Sequence, residues 1–279
     1  MNGREPGGSG QRPRITVVIP CLNEEQGLPR VLKAIPAEVE EILVLDNCST
    51  DRTVEVAEED ERVRVVRHPH NLGYGGSYIR GLPMVRGDVI VTSDGDGTYP
   101  VQDCLELVDA LVEGGYDFLS CSRFPLHDRT NMSFRNRFGN RLLNTLVNAF
   151  YGLHLKDAQS GMWVFRTAVL DEIRLTSTGM ALSHEIKLEA FTSPRVKAGE
   201  IRIPYAERVG TSKLYPVRDG VRMVRFLLTH RFSSARRRDT APLGRGPRLP
   251  AADPPLERSR TEAPAVPEHQ RGPVDPAAV

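Results

Sequence analysis

The sequence predicts an α/β fold, with a mainly parallel central sheet and helices on both faces, and three observations carry that expectation. Apolar runs rich in β-branched residues recur along the first half, as ITVVIP (15–20), EILVLD (41–46) and DVIVTSD (88–94). Segments with helical character separate them, and strand–helix–strand order gives parallel neighbours with helices covering the sheet. Polar and acidic residues stand just beyond the C-terminal ends of these runs, where open α/β sheets bind ligands.

The elements follow in order. After ITVVIP, a helix is expected from Glu24 to Ile35. EILVLD is a second buried strand, and Ser49 or Thr50 is positioned to cap a helix around Thr53–Glu59. VRVVRH (63–68) is a third strand. Gly76 to Arg86 should be helical, with Pro83 near a bend, before the fourth strand, DVIVTSD. Val101–Glu113 is a helix and DFLSCSR (117–123) a fifth strand. The second half is less regular. Helices are expected at Phe138–Phe150, Ser183–Ala190 and Val217–His230, and strands within AQSGMWVF (158–165) and GEIRIPYA (199–206). Trp163, in the apolar MWVF, is read as core rather than as a platform for a sugar ring.

Composition sets the limits. The chain has 279 residues, 26% charged and 39% hydrophobic, with a formal net charge of +1, which suits a globular domain and not a nucleic-acid binder. Residues 1–14 are rich in Gly, Pro and Arg and are expected to be disordered. Residues 233–279 hold nine prolines and no aromatic residue, too little apolar surface to offset the entropy of ordering. Residues 15–232 are the expected catalytic domain. Cys21, Cys48, Cys104 and Cys121 form no CxxC pair, so reduced thiols are expected rather than zinc. There is no apolar run of about 18 residues and no signal-peptide pattern. The expectation is a cytoplasmic protein, peripheral at the inner face of the membrane if it meets lipid at all.

The most specific chemical feature is Asp94-Gly95-Asp96 at the end of the fourth strand. Paired carboxylates with small neighbours suit Mg²⁺ or Mn²⁺, which take oxygen ligands and keep room for phosphates. Asp and Gly also favour plain turns. Asp46, ending another strand at the same expected edge, adds weight to the metal reading. Gly73-Tyr74-Gly75-Gly76 lacks the last glycine of a dinucleotide fingerprint, because Tyr78 stands there. A close backbone approach to a ligand, or a strand-to-helix turn, accounts for it instead. His68 and His70 flank Pro69 and are read as a surface loop rather than a metal pair.

In this order, PCLNEEQGLP, LDNCSTDRT, NLGYGGSYIRG, SDGDGTYP, SRF, DAQSGMWVF and ERVGTSKL resemble the motifs of family-2 glycosyltransferases with the Rossmann-like GT-A fold. The nearest resemblance is to the dolichyl- or polyprenyl-phosphate mannose and glucose synthases, and it covers nearly all of residues 15–232. It implies that Pro20, Leu22, Glu24, Asp46 and Asn47 hold the base and ribose of a nucleotide-sugar donor. Asn47 stands where the family commonly has a second acid. Asp94 and Asp96 would bind the metal, with Gly95 between them and Thr98 touching metal or phosphate. Arg123 would face an acceptor phosphate, and Arg208, Ser212 and Lys213 would face phosphates from a late loop.

Breaking a sugar–diphosphate bond leaves a leaving group of growing negative charge, which a divalent cation with Arg and Lys stabilises. A single attack on the anomeric carbon inverts it. A lipid phosphate acceptor is already a nucleophile, whereas a hydroxyl acceptor needs a base, for which Asp157 and Glu185 are the candidates. Val217, Val221, Val224 and Leu228 recur at helical spacing, with Met223 and Leu227 beside them and Arg218, Arg222 and Arg225 as a basic stripe. Residues 217–238 could lie on an anionic membrane surface, or pack on the domain with the charged face outward. Three functions follow. The first is a metal-dependent inverting transferase moving a hexose from GDP-mannose or UDP-glucose to polyprenyl phosphate. The second is the same chemistry on a soluble hydroxyl acceptor, and the third a non-catalytic nucleotide-sugar binder.

Overall fold

The computed structural model describes residues 12–125, 134–206, 216–232 and 242–244. Seven strands form one sheet: β1 (Ile15–Cys21), β2 (Glu41–Asp46), β3 (Val63–Arg67), β4 (Val89–Thr92), β5 (Phe118–Ser122), β6 (Trp163–Arg166) and β7 (Ala198–Arg202). Their order is β3-β2-β1-β4-β6-β5-β7. All pairings are parallel except those of β6, which runs antiparallel to both β4 and β5. The α/β expectation holds, with this one reversal inside the mainly parallel sheet.

The reversal shapes the site. β6 begins at the edge where the other strands end, so the segment leading into it arrives beside the segments that leave β4, β5 and β7. Trp163 is fully buried, and its ring N–H donates to the Ser160 carbonyl at 3.1 Å, which confirms the core reading.

Alternate residues of the strands serve two faces, as a pleated strand requires. Val17, Ile19, Ile42 and Val44 point to one core with α1 (Leu28–Ala34) and α4 (Cys104–Glu113). Val18, Leu43 and Leu45 point to the other, with Tyr78 of α3 (Gly73–Gly81) and Leu182 and Ile186 of α6 (Leu182–Thr192). The helix α2 (Thr53–Ala57) lies between β2 and β3 in sequence. Its first turn is held by Asp51, whose Oδ1 accepts from the Thr53 amide at 3.0 Å. The expected cap at Ser49 or Thr50 is therefore corrected: those residues bond Asn23 instead. The helix expected from Glu24 starts at Leu28, because residues 24–27 form a turn and the Glu24 amide donates to Thr53 Oγ1.

A third, smaller core joins α5 (Phe134–Tyr151) to α7 (Pro216–Phe232) through Val147, Leu155, Leu188 and Leu227. Tyr151 Oη lies 2.7 Å from His230 Nδ1. Among the described side chains of α7, Met223, Leu227 and His230 are buried, while Leu228 of the expected apolar row is 41% exposed.

Candidate active site

The loops after β1 and β2 are zipped together by short polar side chains. Asn23 Oδ1 accepts from the Thr50 amide at 2.7 Å, the Asn23 amide donates to Ser49 Oγ at 2.9 Å, and the Glu25 amide donates to Asp51. Asn23 and Cys48 both take positive φ, +53° and +73°, as tight turns of polar residues do. Asp46 is buried and accepts from the Ser49 amide at 3.1 Å. Pro20, Leu22 and Glu24 stay half-buried at this edge. The Asn47 side chain is engaged within the chain. Its Nδ2 donates to Asn71 and its Oδ1 accepts from the Leu72 amide at 2.8 Å, so the amide lashes the β2 loop to the start of α3.

The DGD loop packs backbone to backbone against the β1 loop. A Cβ on Gly27 would strike the Gly95 carbonyl, and one on Gly95 would press on Cys21 Sγ and Glu24 Cβ at 3.2 Å. Asp96 is buried, and its Oδ1 accepts from the Thr98 amide at 3.0 Å and Thr98 Oγ1 at 2.8 Å. Thr98 thus orients Asp96. Asp94 is half-buried and lies near the backbone of Gly161, where an added Cβ would come 2.7 Å from Tyr74 Oη and 3.8 Å from Asp94 Oδ2. Tyr99 Oη accepts from the Gly161 amide at 2.7 Å. Burial pushes the Tyr74 and Tyr99 phenols up, with the Asp94 charge adding to it, so both remain protonated hydroxyls. Asp94 and Asp96 offer hard oxygens of the kind Mg²⁺ and Mn²⁺ take. Among the described residues no third His, Cys, Asp or Glu joins them in a metal-ligand group.

Beyond β5, Arg123 is paired with Asp157 from the segment before β6. Its Nε and Nη2 donate to the two carboxylate oxygens at 2.7 and 2.9 Å, and its main-chain amide donates to Oδ2 at 3.1 Å. Both residues are buried. Burial alone would raise the Asp157 carboxyl, but the Arg123 charge and hydrogen bonds overcome it and hold the group well below the usual carboxylate range. Such a carboxylate is a weak base, which counts against the proton-accepting role considered for Asp157. Among the described residues no hydrogen bond uses Arg123 Nη1, and the guanidinium lies 5.2 Å from the Tyr205 ring centroid. Tyr205 meets Tyr99 edge to face, and the Ala206 amide donates to the Thr98 carbonyl at 3.0 Å. The aspartate loop and the Arg123 pair are therefore one packed unit. Arg208, Ser212 and Lys213 follow directly in the chain and lie outside the described residues.

Glu185 is fully buried and accepts from the Thr176 amide, Thr176 Oγ1 and the Ser177 amide at 3.0, 2.7 and 2.8 Å. It anchors a loop. The glycine cluster receives that same loop: Cβ atoms on Gly73 and Gly75 would collide with the Thr178 and Ser177 carbonyls, and the Gly76 amide donates to Thr178 at 2.9 Å. The close approach expected for a ligand is made by the chain itself. His68 is also corrected, from surface to buried, with Nε2 2.9 Å from Ser77 Oγ. Sequence reasoning missed Tyr74, Tyr99, His184 and Lys187. A lysine inside the helical segment LSHEIKLEA was the available signal for the last, but such a residue ordinarily points to solvent.

Residues 16–174 match the model of glycosyl transferase family 2. A low-salt glycan biosynthesis hexosyltransferase, Agl6, of Haloferax volcanii is 34% identical over 78% of this chain. The match covers 54% of that relative, so this chain spans about half its length. A dolichyl-phosphate hexose transferase of the same organism is 31% identical over 74% of this chain and 89% of its own. A polyprenol monophosphomannose synthase of Mycolicibacterium smegmatis is 30% identical over 76% of this chain and 85% of its own. Among solved structures, glucosyl-3-phosphoglycerate synthase of Mycobacterium tuberculosis superposes with a TM-score of 0.61 at 23% identity, over 82% of this chain and 85% of that one. This likeness places the fold among GT-A structures. With a family model matched over more than half its length, this chain belongs to glycosyl transferase family 2.

Proposed function

We propose that residues 15–232 form a catalytic domain that moves a hexose from a nucleotide-diphosphate sugar to a polyprenyl phosphate, inverting the anomeric carbon. The carrying observation is the contact chain Asp96–Thr98–Ala206 and Tyr99–Tyr205–Arg123, which joins a carboxylate pair to a buried cation at one sheet edge. A donor diphosphate needs the first and an acceptor phosphate the second. The names of the two relatives matched over most of their length, a dolichyl-phosphate hexose transferase and a polyprenol monophosphomannose synthase, support the acceptor class.

Asp94 and Asp96 would hold Mg²⁺ or Mn²⁺, which supplies charge neutralisation of the diphosphate leaving group. Thr98 fixes the Asp96 carboxylate, and the zipped β1 and β2 loops, with Asp46 and Glu24, receive the nucleoside. Arg123, held by Asp157, orients the acceptor phosphate, whose own oxygen attacks. No general base is required, which accords with a carboxylate as weakly basic as Asp157. The face of α7 opposite its buried seam, with Arg225, Leu228 and Arg231 exposed, would meet the membrane surface.

Transfer from UDP-glucose and from GDP-mannose, each with Mg²⁺ or Mn²⁺, to a short polyprenyl phosphate tests this reading. Product formed with one donor and lost on adding EDTA is expected. Donor hydrolysis or transfer to a hydroxyl acceptor, with the lipid phosphate untouched, would overturn it.

A further inference from the structure

The segment KDAQSG, residues 156–161, hangs on side chains. The Lys156 and Asp157 amides donate to the Glu200 carboxylate at 2.7 and 3.2 Å, the Ala158 amide to Asn144 at 2.9 Å, and the Gly161 amide to Tyr99. On the carbonyl side, Trp163 Nε1 holds Ser160, Thr92 Oγ1 holds Gly161, and Lys187 Nζ donates to Asp157 at 2.8 Å. Backbone held this way keeps its conformation only as long as those side chains keep theirs.

Lys187 is 0% exposed. A fully buried lysine is rarely found without a specific partner, because desolvating the charged amine costs on the order of several kcal/mol. One turn earlier on α6, His184 is also buried, and neither of its ring nitrogens has a hydrogen-bond partner among the described residues. Burial, with the Lys187 charge beside it, pushes His184 down to about 3, so this imidazole is neutral. Burial likewise pushes Lys187 down to about 7, against the Asp157 and Glu200 charges that favour its ammonium. An apolar helix face would have served the core better at positions 184 and 187. What Lys187 reaches is the main chain of the residue that holds Arg123.

We infer that Lys187 is a positioning residue for the acceptor half of the site: its side-chain nitrogen fixes the Asp157 carbonyl, and through Asp157 the direction in which Arg123 is presented. The acceptor part of this statement rests on the proposed function; the positioning part does not.

Two measurements on the full chain separate them. Amide hydrogen exchange of residues 156–161 in Lys187→Met should be faster than in the wild type by about tenfold, with residues 104–113 of α4 unchanged. In the transfer assay the variant should raise the acceptor KM by about tenfold and leave the donor KM within about twofold. Unchanged exchange in a folded variant would overturn the inference whatever the acceptor is. Faster exchange with the wild-type acceptor KM, in an enzyme that does use polyprenyl phosphate, would overturn it too. Faster exchange in an enzyme inactive on polyprenyl phosphate would uphold the positioning role and remove the proposed acceptor. Lys187→Gln carries the same comparison should Lys187→Met not fold.

Discussion

Asp157 receives three hydrogen bonds from Arg123, two from the guanidinium and one from the main-chain amide, with both residues buried. The two come from segments 34 positions apart in sequence, and the antiparallel β6 is what returns the Asp157 segment to the edge where β5 ends. A buried bidentate pair contributes little net stability over an apolar pair of equal volume, yet breaking it from one side is costly. In the proposed function, its value lies in presenting a cation whose direction is fixed.

Removing the carboxylate charge should therefore hurt more than removing the pair. Asp157→Asn is expected to lose about 3–5 kcal/mol of unfolding free energy, and Arg123→Met with Asp157→Leu to lose much less. Both should be inactive in transfer. Urea unfolding with an unchanged m-value reads the comparison. A double variant as unstable as the single one would show that the pair is there for stability.

Thr98 offers a way to test the proposed metal site without deleting a proposed ligand. Thr98→Val removes the 2.8 Å bond from Oγ1 to Asp96 and keeps the one from the amide. Loss of an orienting partner typically weakens metal binding by about 10–100-fold. Calorimetric titration of Mn²⁺ in the presence of a nucleoside diphosphate should show that drop, and Asp96→Ala should show no binding. EDTA should remove activity from the wild type and Mn²⁺ restore it. Wild-type Mn²⁺ affinity in Thr98→Val would mean that Asp96 is not a ligand.

The strands were legible because buried parallel strands read as unbroken apolar runs: EILVLD appears with its expected bounds and ITVVIP one residue longer. The direction of β6 was not, since WVFR looks the same whichever way it pairs. The place of the DGD loop just beyond the end of β4 was legible because a strand followed by Asp and Gly is a local pattern. Asn47, the glycine cluster and Glu185 were harder, as their partners are other parts of the chain. Asn47 meets Asn71 and Leu72, and the glycines meet Ser177 and Thr178. A polar residue gives no local sign of whether its partner will be a ligand or a distant backbone group. Lys187 was the least visible, because its partner is a main-chain carbonyl 30 residues away.

Glu185 can be tested as anchor against base. Three donors from Thr176 and Ser177 converge on it, so Glu185→Ala should cost about 1–3 kcal/mol for each buried donor left without a partner. Glu185→Gln keeps an oxygen for the two amides and should keep transfer activity within a few-fold. A proton-accepting role would instead cost about 10²–10⁴-fold in the Gln variant. Gly75→Ala, which drives a methyl into the Ser177 and Gly179 carbonyls, should unfold at a lower urea concentration, by at least about 2 kcal/mol.

The buried cations make stability depend on pH with a definite sign. Burial holds Lys187 near 7 in the folded chain, against a reference of 10.5. Between those values the unfolded chain carries one more proton, so unfolding free energy rises with pH, by up to about 1.4 kcal/mol per unit. Below pH 7 the lysine is charged in both states and its full penalty is present. His184, held near 3 against 6.5 by burial and the neighbouring Lys187, gives a rise of the same sign at lower pH. The lowered Asp157 carboxyl adds stability above its unfolded value that is lost as the solution is acidified. Urea unfolding at pH 6, 7.5 and 9 should therefore show the wild type gaining stability across the upper interval, while Lys187→Met shows a flatter profile and its largest advantage over the wild type at pH 6. Identical slopes for the two proteins between pH 7.5 and pH 9 would mean that Lys187 keeps an ordinary amine pKa in the folded chain. The geometry argues otherwise, since a charged amine with no solvent contact and one carbonyl at 2.8 Å is far from satisfied.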